Sequence, residues 1–313
     1  MNKSSEKIWF GSLCLFFTSL IFGIGFITQK VGGQFLGSYS FNCIRSFLGC
    51  LVLLPVIYLP RPQSTVQFPA TKEDKKTLWT AGIACGAALF FACNLQQLGL
   101  SLGTSAGKGG FLTSCYIILV PLFGLFLHKK CPWHIWVCVV VTVLGLYFLC
   151  VNEDFSLVPS DLLLLLCSVC FAVQILTIDH YVAKVDPVRL SCIQFLVCGA
   201  LSAVPMVFVE MGGDPVAWGQ AFTHWETWLA VLFAGIFCSG IAYTLQTVGQ
   251  QSVPPTLASL LLSLESVFSV LGGIIFLQER MAEKEIFGCI IIFVAVVLAQ
   301  LPIGEWLKKG TKK

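Results

Sequence analysis

The sequence predicts an all-α integral membrane protein, with ten transmembrane helices arranged as two inverted five-helix repeats around a central cavity. Three observations lead there. The chain of 313 residues is 57% hydrophobic and only 11% charged, with a mean hydropathy of +0.86, whereas a soluble domain carries about 25% charged residues. Its Lys and Arg residues crowd one side of the membrane once the apolar stretches are laid out. Its two halves also resemble each other at a shift of 149–150 residues. The composition excludes a soluble enzyme and a disordered chain. A net charge of +3 with no basic stripe excludes nucleic acid as a partner.

A helix needs about 20 mostly apolar residues to cross the hydrocarbon core. Windows that meet this run near 8–28, 39–59, 78–99, 104–127, 133–151, 159–179, 190–210, 227–248, 255–277 and 286–304. The first has no cleavage site after it and reads as an uncleaved span. The second stops at Pro60-Arg61-Pro62, the fourth at His128-Lys129-Lys130, and the fifth at Asn152-Glu153-Asp154. The sixth opens after Pro159-Ser160, with Asp161 placed to support its N-terminus, and closes at Asp179-His180, expected in solvent near the inner surface. The seventh ends at Gly212-Gly213-Asp214-Pro215; beyond it, Asp214–Glu226 with Trp218 and Trp225 suits a short interfacial helix. The ninth ends at Glu279-Arg280. None of these windows alternates as a transmembrane strand would. The eight tryptophans (9, 79, 133, 136, 218, 225, 228 and 306) fall at span ends or in loops, as an interfacial belt requires.

Alternating the loops from an inside N-terminus places fourteen basic residues inside: Lys3, Lys7, Arg61, Lys72, Lys75, Lys76, Lys129, Lys130, Lys184, Arg189, Lys308, Lys309, Lys312 and Lys313. Only Lys30, Arg280 and Lys284 fall outside. This bias supports ten spans with both termini in the cytoplasm. The cysteines lie almost wholly within spans, where they act as small packing residues. Cys167 and Cys170 have the spacing of a metal or redox pair but lack partner ligands, so no metal and no cofactor is expected.

The internal repeat matches Cys43-Ile44-Arg45 to Cys192-Ile193-Gln194, Leu95–Gly99 to Leu245–Gly249, and Phe126-Leu127 to Phe276-Leu277. The matches fall in order at nearly one offset, which divides the chain at 1–152 and 153–313. Five helices is an odd number, so the second copy enters the membrane from the opposite side. Inverted repeats are an architecture of secondary transporters, whose two halves exchange conformations around a site near the midplane. A passive channel or uniporter is the alternative, and a membrane-embedded sensor or lipid-modifying protein a more distant one. The scattered His128, His134, His180 and His224 form no catalytic cluster.

The stretch Leu95-Gln-Gln-Leu-Gly-Leu through Thr104-Ser-Ala-Gly-Lys108-Gly-Gly-Phe-Leu-Thr-Ser-Cys-Tyr116-Ile-Ile-Leu-Val-Pro121 resembles EamA-type members of the drug/metabolite transporter superfamily. Asp161-Leu-Leu, Asp186-Pro-Val-Arg-Leu190 and Leu262-Ser-Leu-Glu265-Ser-Val-Phe support the resemblance, which covers essentially the whole chain. Gln278-Glu279 departs from the usual small-residue turn. The resemblance implies ten helices as a basket around a cavity, alternating access, and export of amino acids or related small metabolites across the cytoplasmic membrane.

Charge within a span is costly and normally faces a cavity or a partner. Glu265, midway along the ninth span, is the expected proton-coupling residue; the other reading is a structural carboxyl. Arg45 and Lys108 suit binding of a substrate carboxylate, against snorkelling to the outer headgroups or an ion pair with Glu265. Gly103–Gly109 fails the spacing of a phosphate-binding loop, so ATP is not expected, and its small residues suit close helix contact, as do Gly82 and Gly86. Ser239, Tyr243, Gln246 and Gln250 make one polar stripe on the eighth span, which must face protein or water. Gln96 matches Gln246 in the repeat, with Asn94 and Gln97 beside it. Together with Tyr116 and Gln174, these are the expected substrate-binding residues, with interhelical hydrogen bonding as the competing role. The expected partners are a small-molecule substrate, the lipid bilayer and a coupling proton.

Overall fold

The computed structural model describes residues 3–58, 71–104, 106–129, 131–150, 158–277 and 283–300, and these are nearly all helical. The turns at 60–62, 152–154 and 278–280 lie outside the described residues, as do Lys130, Trp306 and the C-terminal lysines. The helices are α1 (Lys3–Gly32), α2 (Ser38–Tyr58), α3 (Lys72–Ser101), α4 (Ala106–Ser114), α5 (Tyr116–Phe126), α6 (Trp133–Cys150) and α7 (Pro159–Tyr181). Then follow α8 (Pro187–Pro205), α9 (Pro215–Gln220), α10 (Trp225–Phe233), α11 (Tyr243–Gln250), α12 (Pro255–Leu262), α13 (Leu264–Leu277) and α14 (Glu283–Gln300). A π-helical segment, Ala234–Ala242, joins α10 to α11, and another, Met206–Met211, extends α8.

Among the described residues, eight helical stretches are long and apolar enough to cross a membrane, including Ala106–Phe126, Trp225–Gln250 and Pro255–Phe276. Two shorter apolar helices, Trp133–Phe148 and Ile286–Ala299, stand where the fifth and tenth spans are expected. The short helix expected after α8 is present as α9, followed by a 3-10 turn at Ala221–Thr223.

Local chemistry sets the helix starts. Thr71 Oγ1 accepts from the Asp74 amide at 3.0 Å while Asp74 accepts from the Thr71 amide at 3.1 Å, a reciprocal cap on α3. Asp186 caps α8 ahead of Pro187, and Asp214 caps α9. Asp161 accepts from the Val158 amide at 3.0 Å, the support at the start of α7 that its position suggests.

Without a hydrophobic drive between helices in lipid, close packing decides their neighbours. In this protein α2 packs along α8, α3 lies against α7 and α8, α1 against α13 and α11, and α6 against α14. Glycines open the closest contacts. A β-carbon at Gly82 would lie 2.3 Å from the Ile193 side chain, and one at Gly86 2.7 Å from the Gln194 carbonyl oxygen, both across the α3–α8 contact. A β-carbon at Gly49 would lie 2.5 Å from that of Ser239, where α2 meets the π segment. Leu51, Phe91 and Ile275 are among the large apolar side chains left exposed on the outer faces, as contact with lipid requires.

Gly82→Leu should therefore destabilise the purified protein by about 1–3 kcal/mol through overpacking. Gly219→Ala, where a β-carbon meets nothing within 4 Å, should leave stability unchanged or slightly higher. Thermal unfolding in detergent checks the pair; equal midpoints would refute the close-contact role of Gly82.

Candidate functional site

Two of the crossing stretches are broken near their middles, at Cys115 between α4 and α5 and at Ser263 between α12 and α13. The breaks meet. The Ser114 and Ser266 hydroxyls are 2.7 Å apart, and Ser266 donates to the Gly110 carbonyl at 3.0 Å. Gly110 permits this approach, since a β-carbon there would crowd Ser269 Oγ at 3.1 Å. One turn starts on each side of the junction, and it aims Tyr116 and Glu265 at each other. The Tyr116 hydroxyl donates to Glu265 Oε1 at 3.0 Å.

Beside this pair lies a central cavity with about 470 Å³ of space between its walls, part of it open to solvent. Its polar wall is Gln29, Arg45, Gln96, Tyr116, Tyr243, Gln246 and Glu265, and its apolar wall is Phe22, Phe26, Phe171, Ile175, Cys238 and Leu262. Arg45 is only 3% exposed. Its guanidinium sits 5.9 Å from the Phe41 ring centroid, and it makes no hydrogen bond or ion pair among the described residues. A buried guanidinium carries five fixed donors and is always charged. An anionic group entering the cavity meets a binding partner already in place.

The other expected site residues divide by location. Gln96, Tyr116, Tyr243 and Gln246 line the cavity with Arg45 and Glu265. Gln174 stands behind it, accepting from Gln246 Nε2 at 3.2 Å. Asn94 ties three helices together: it accepts from Asn42 at 3.1 Å and donates to Ser202 at 3.0 Å. Gln97 donates to the Gln29 carbonyl at 2.9 Å. Lys108 is not on the cavity wall and pairs with Asp161 at 2.6 Å. Glu265 takes its bond from Tyr116 instead.

Asp179, expected in solvent, is paired with Lys129 and only 17% exposed. The reason is the course of α7, which packs against both α4 and α5. Lys108 meets the start of α7 and Lys129 meets its end, so one ion pair at each end holds α7 to the broken helix. Among the described residues no group of three His, Cys, Asp or Glu is placed to hold a metal.

Sequence reasoning missed Gln29 and the aromatic wall. Phe22, Phe26 and Gln29 fall at i, i+4 and i+7 on α1, one helical face, and that spacing was the available signal. Phe171 and Ile175 repeat the same step on α7. Cys238 lies in the π segment, where a helical period does not apply.

The description "EamA-like transporter family" matches twice, at residues 9–151 and 158–301. An uncharacterized transporter of Archaeoglobus fulgidus is 27% identical over 95% of this chain and 88% of its own. The threonine/homoserine exporter RhtA of Salmonella typhimurium is 26% identical over 97% of this chain and 96% of its own. Its Escherichia coli K12 namesake is 25% identical, covering 86% and 84%. A protein of known crystal structure, 19% identical, superposes with a TM-score of 0.70 over 92% of this chain and 96% of its own, a likeness of fold alone.

The Lys108–Asp161 pair is lopsided, with side-chain exposures of 24% and 0%. Lys108→Met strands a buried carboxylate and should cost about 3–5 kcal/mol. Asp161→Asn keeps an acceptor for the Val158 amide and leaves a lysine able to snorkel, so it should cost much less. Unfolding midpoints of the two variants decide it, and the reverse order would sink this account.

Proposed function

This chain belongs to the EamA-like transporter family, and on that premise we propose that it is a secondary active transporter exporting amino acids or related small zwitterions across the cytoplasmic membrane. The observation that carries the reading is Arg45, buried and unbonded among the described residues, in the same cavity as Glu265. A zwitterion supplies the complement of both: its carboxylate fits the guanidinium fork and its ammonium fits the carboxylate. Gln96 and Gln246 add neutral donors and acceptors. The relatives named for threonine and homoserine export support the same substrate class.

Ten crossings as two inverted five-helix repeats fit the packing. The two broken stretches, equivalent in the repeat, bond through Tyr116 and Glu265, and the counterparts Cys93 and Tyr243 approach to 3.7 Å, as residues beside a two-fold axis do. Each half matches the family by itself, and the one-sided distribution of Lys and Arg favours an odd number of spans per half. Alternating access follows when the halves exchange conformations, with both termini in the cytoplasm. Glu265 carries the coupling proton, released or taken as the Tyr116 bond is exchanged for substrate. Lys108, Asn94, Gln97 and Gln174 hold the frame.

In sealed vesicles, L-threonine flux should saturate and be stimulated by L-threonine on the opposite side. Arg45→Met should lower it by about tenfold or more, the loss of one charge-assisted contact. A protonophore should abolish concentrative flux, and Glu265→Gln should keep exchange while losing the response to a proton gradient. Flux indifferent to both identifies a uniporter, non-saturating flux identifies a channel, and full-rate flux by the Arg45 variant removes the cavity assignment.

A further inference from the structure

The repeat counterpart of Arg45 is Gln194, and the structure gives these two positions opposite circumstances. Their equivalence rests on more than three matching letters. Shifting the nine buried positions of α2 by 149 residues lands eight of them on buried positions of α8; only Ser40 falls on a half-buried one, Arg189. The lipid-facing sides agree too, with Phe47 and Leu196 exposed at the same register. Arg45 and Gln194 therefore occupy the same place on the same face of equivalent helices. Arg45 lines the cavity. Gln194 does not, and it is wholly buried with both side-chain amide atoms lacking any hydrogen-bond partner among the described residues.

That burial is costly, because an unsatisfied amide loses its water without a replacement, and in lipid no water waits nearby. A leucine would fill the volume without that cost. A side chain held at a loss of stability in one state points to use in another. Gln174 Nε2 and Thr244 Oγ1 are likewise unpartnered among the described residues.

We propose that Gln194 contacts the substrate in the alternate conformation, taking the position on the cavity wall that Arg45 holds in this one. When the two halves exchange conformations, Gln194 enters the cavity as Arg45 withdraws. Its amide N–H groups then donate to the substrate carboxylate as the guanidinium does in this state, by a neutral and weaker contact. This rests on the alternating-access reading above.

Two measurements on the full-length protein test it. Gln194→Cys, exposed in vesicles to a water-soluble methanethiosulfonate, should gain one modified thiol over the wild-type background by intact mass, since an opening bundle wets that position. Separately, Gln194→Leu should melt at or above the wild-type temperature and bind L-threonine in detergent within about threefold of wild type, through Arg45. Its L-threonine exchange should nevertheless fall by about tenfold or more, with Gln194→Asn recovering part of the loss. Absence of the added modification overturns the proposal, and so does full-rate exchange by the leucine variant. Added modification at Gln194→Cys in a protein that neither binds nor exchanges L-threonine would count against the amino-acid reading while supporting the movement of Gln194.

Discussion

Every polar group within the hydrocarbon core must find its partner inside the protein or in a water-filled cavity. The interior of this protein follows from that requirement. The breaks at Cys115 and Ser263 free backbone groups that lipid could not satisfy, and they are tolerated because they are turned inward against each other. Ser114, Ser266 and the Gly110 carbonyl absorb part of the polarity so exposed. Backbone bonds at the breaks, such as Ile118 N–H to the Cys115 carbonyl and Ser266 N–H to the Ser263 carbonyl, satisfy more of it. The same requirement explains why the polar side chains of α2, α3 and α8 (Asn42, Asn94 and Ser202) converge on one another away from lipid.

A second consequence concerns movement. Hydrogen bonds and ion pairs are distributed unevenly between helices, so some pairs are held firmly and others only by contact. The broken helix α4–α5 is held to α7 by an ion pair at each end, which makes these elements one body. The contacts of α2 with the π segment and of α3 with α8 rely on glycines at 49, 82 and 86. The close, smooth contact of α2 with the π segment can shift by small steps at low cost, whereas α3 is also tied to α8 by the Asn94–Ser202 bond at 3.0 Å, and the paired helices travel together. The π segment widens the helix at the cavity wall, a feature that recurs at functional sites.

The fold was largely legible in the sequence because hydropathy and charge report directly on the solvent each residue meets. Arg45 and Glu265 were legible for the same reason, being charges where charge is expensive. The paired residues were harder. Lys108 and Asp161 lie far apart in sequence, and only the packing of α7 on α4 reveals that each answers the other. Gln29, Phe22 and Phe26 were illegible as site residues because amides and aromatics are common on any buried helix face. Their spacing marks the face but not what it faces.

The repeat is broken at some of the positions where the chemistry is densest, and the proposed substrate gives a reason. On the proposed alternating access, a scaffold with two openings related by a two-fold axis gains from being duplicated, and the buried register of α2 recurs in α8 almost position for position. A bound zwitterion has a positive end and a negative end, and no two-fold axis relates them. Identical residues on the two sides of an axis would offer a carboxylate and an ammonium the same partner. The neutral amides Gln96 and Gln246 stay alike, while other counterparts at the centre differ in kind: Cys93 opposite Tyr243 and Arg45 opposite Gln194. On the proposed two-fold arrangement, symmetry is kept in the walls that move and in the paired amides, and broken at the charge that meets the cargo.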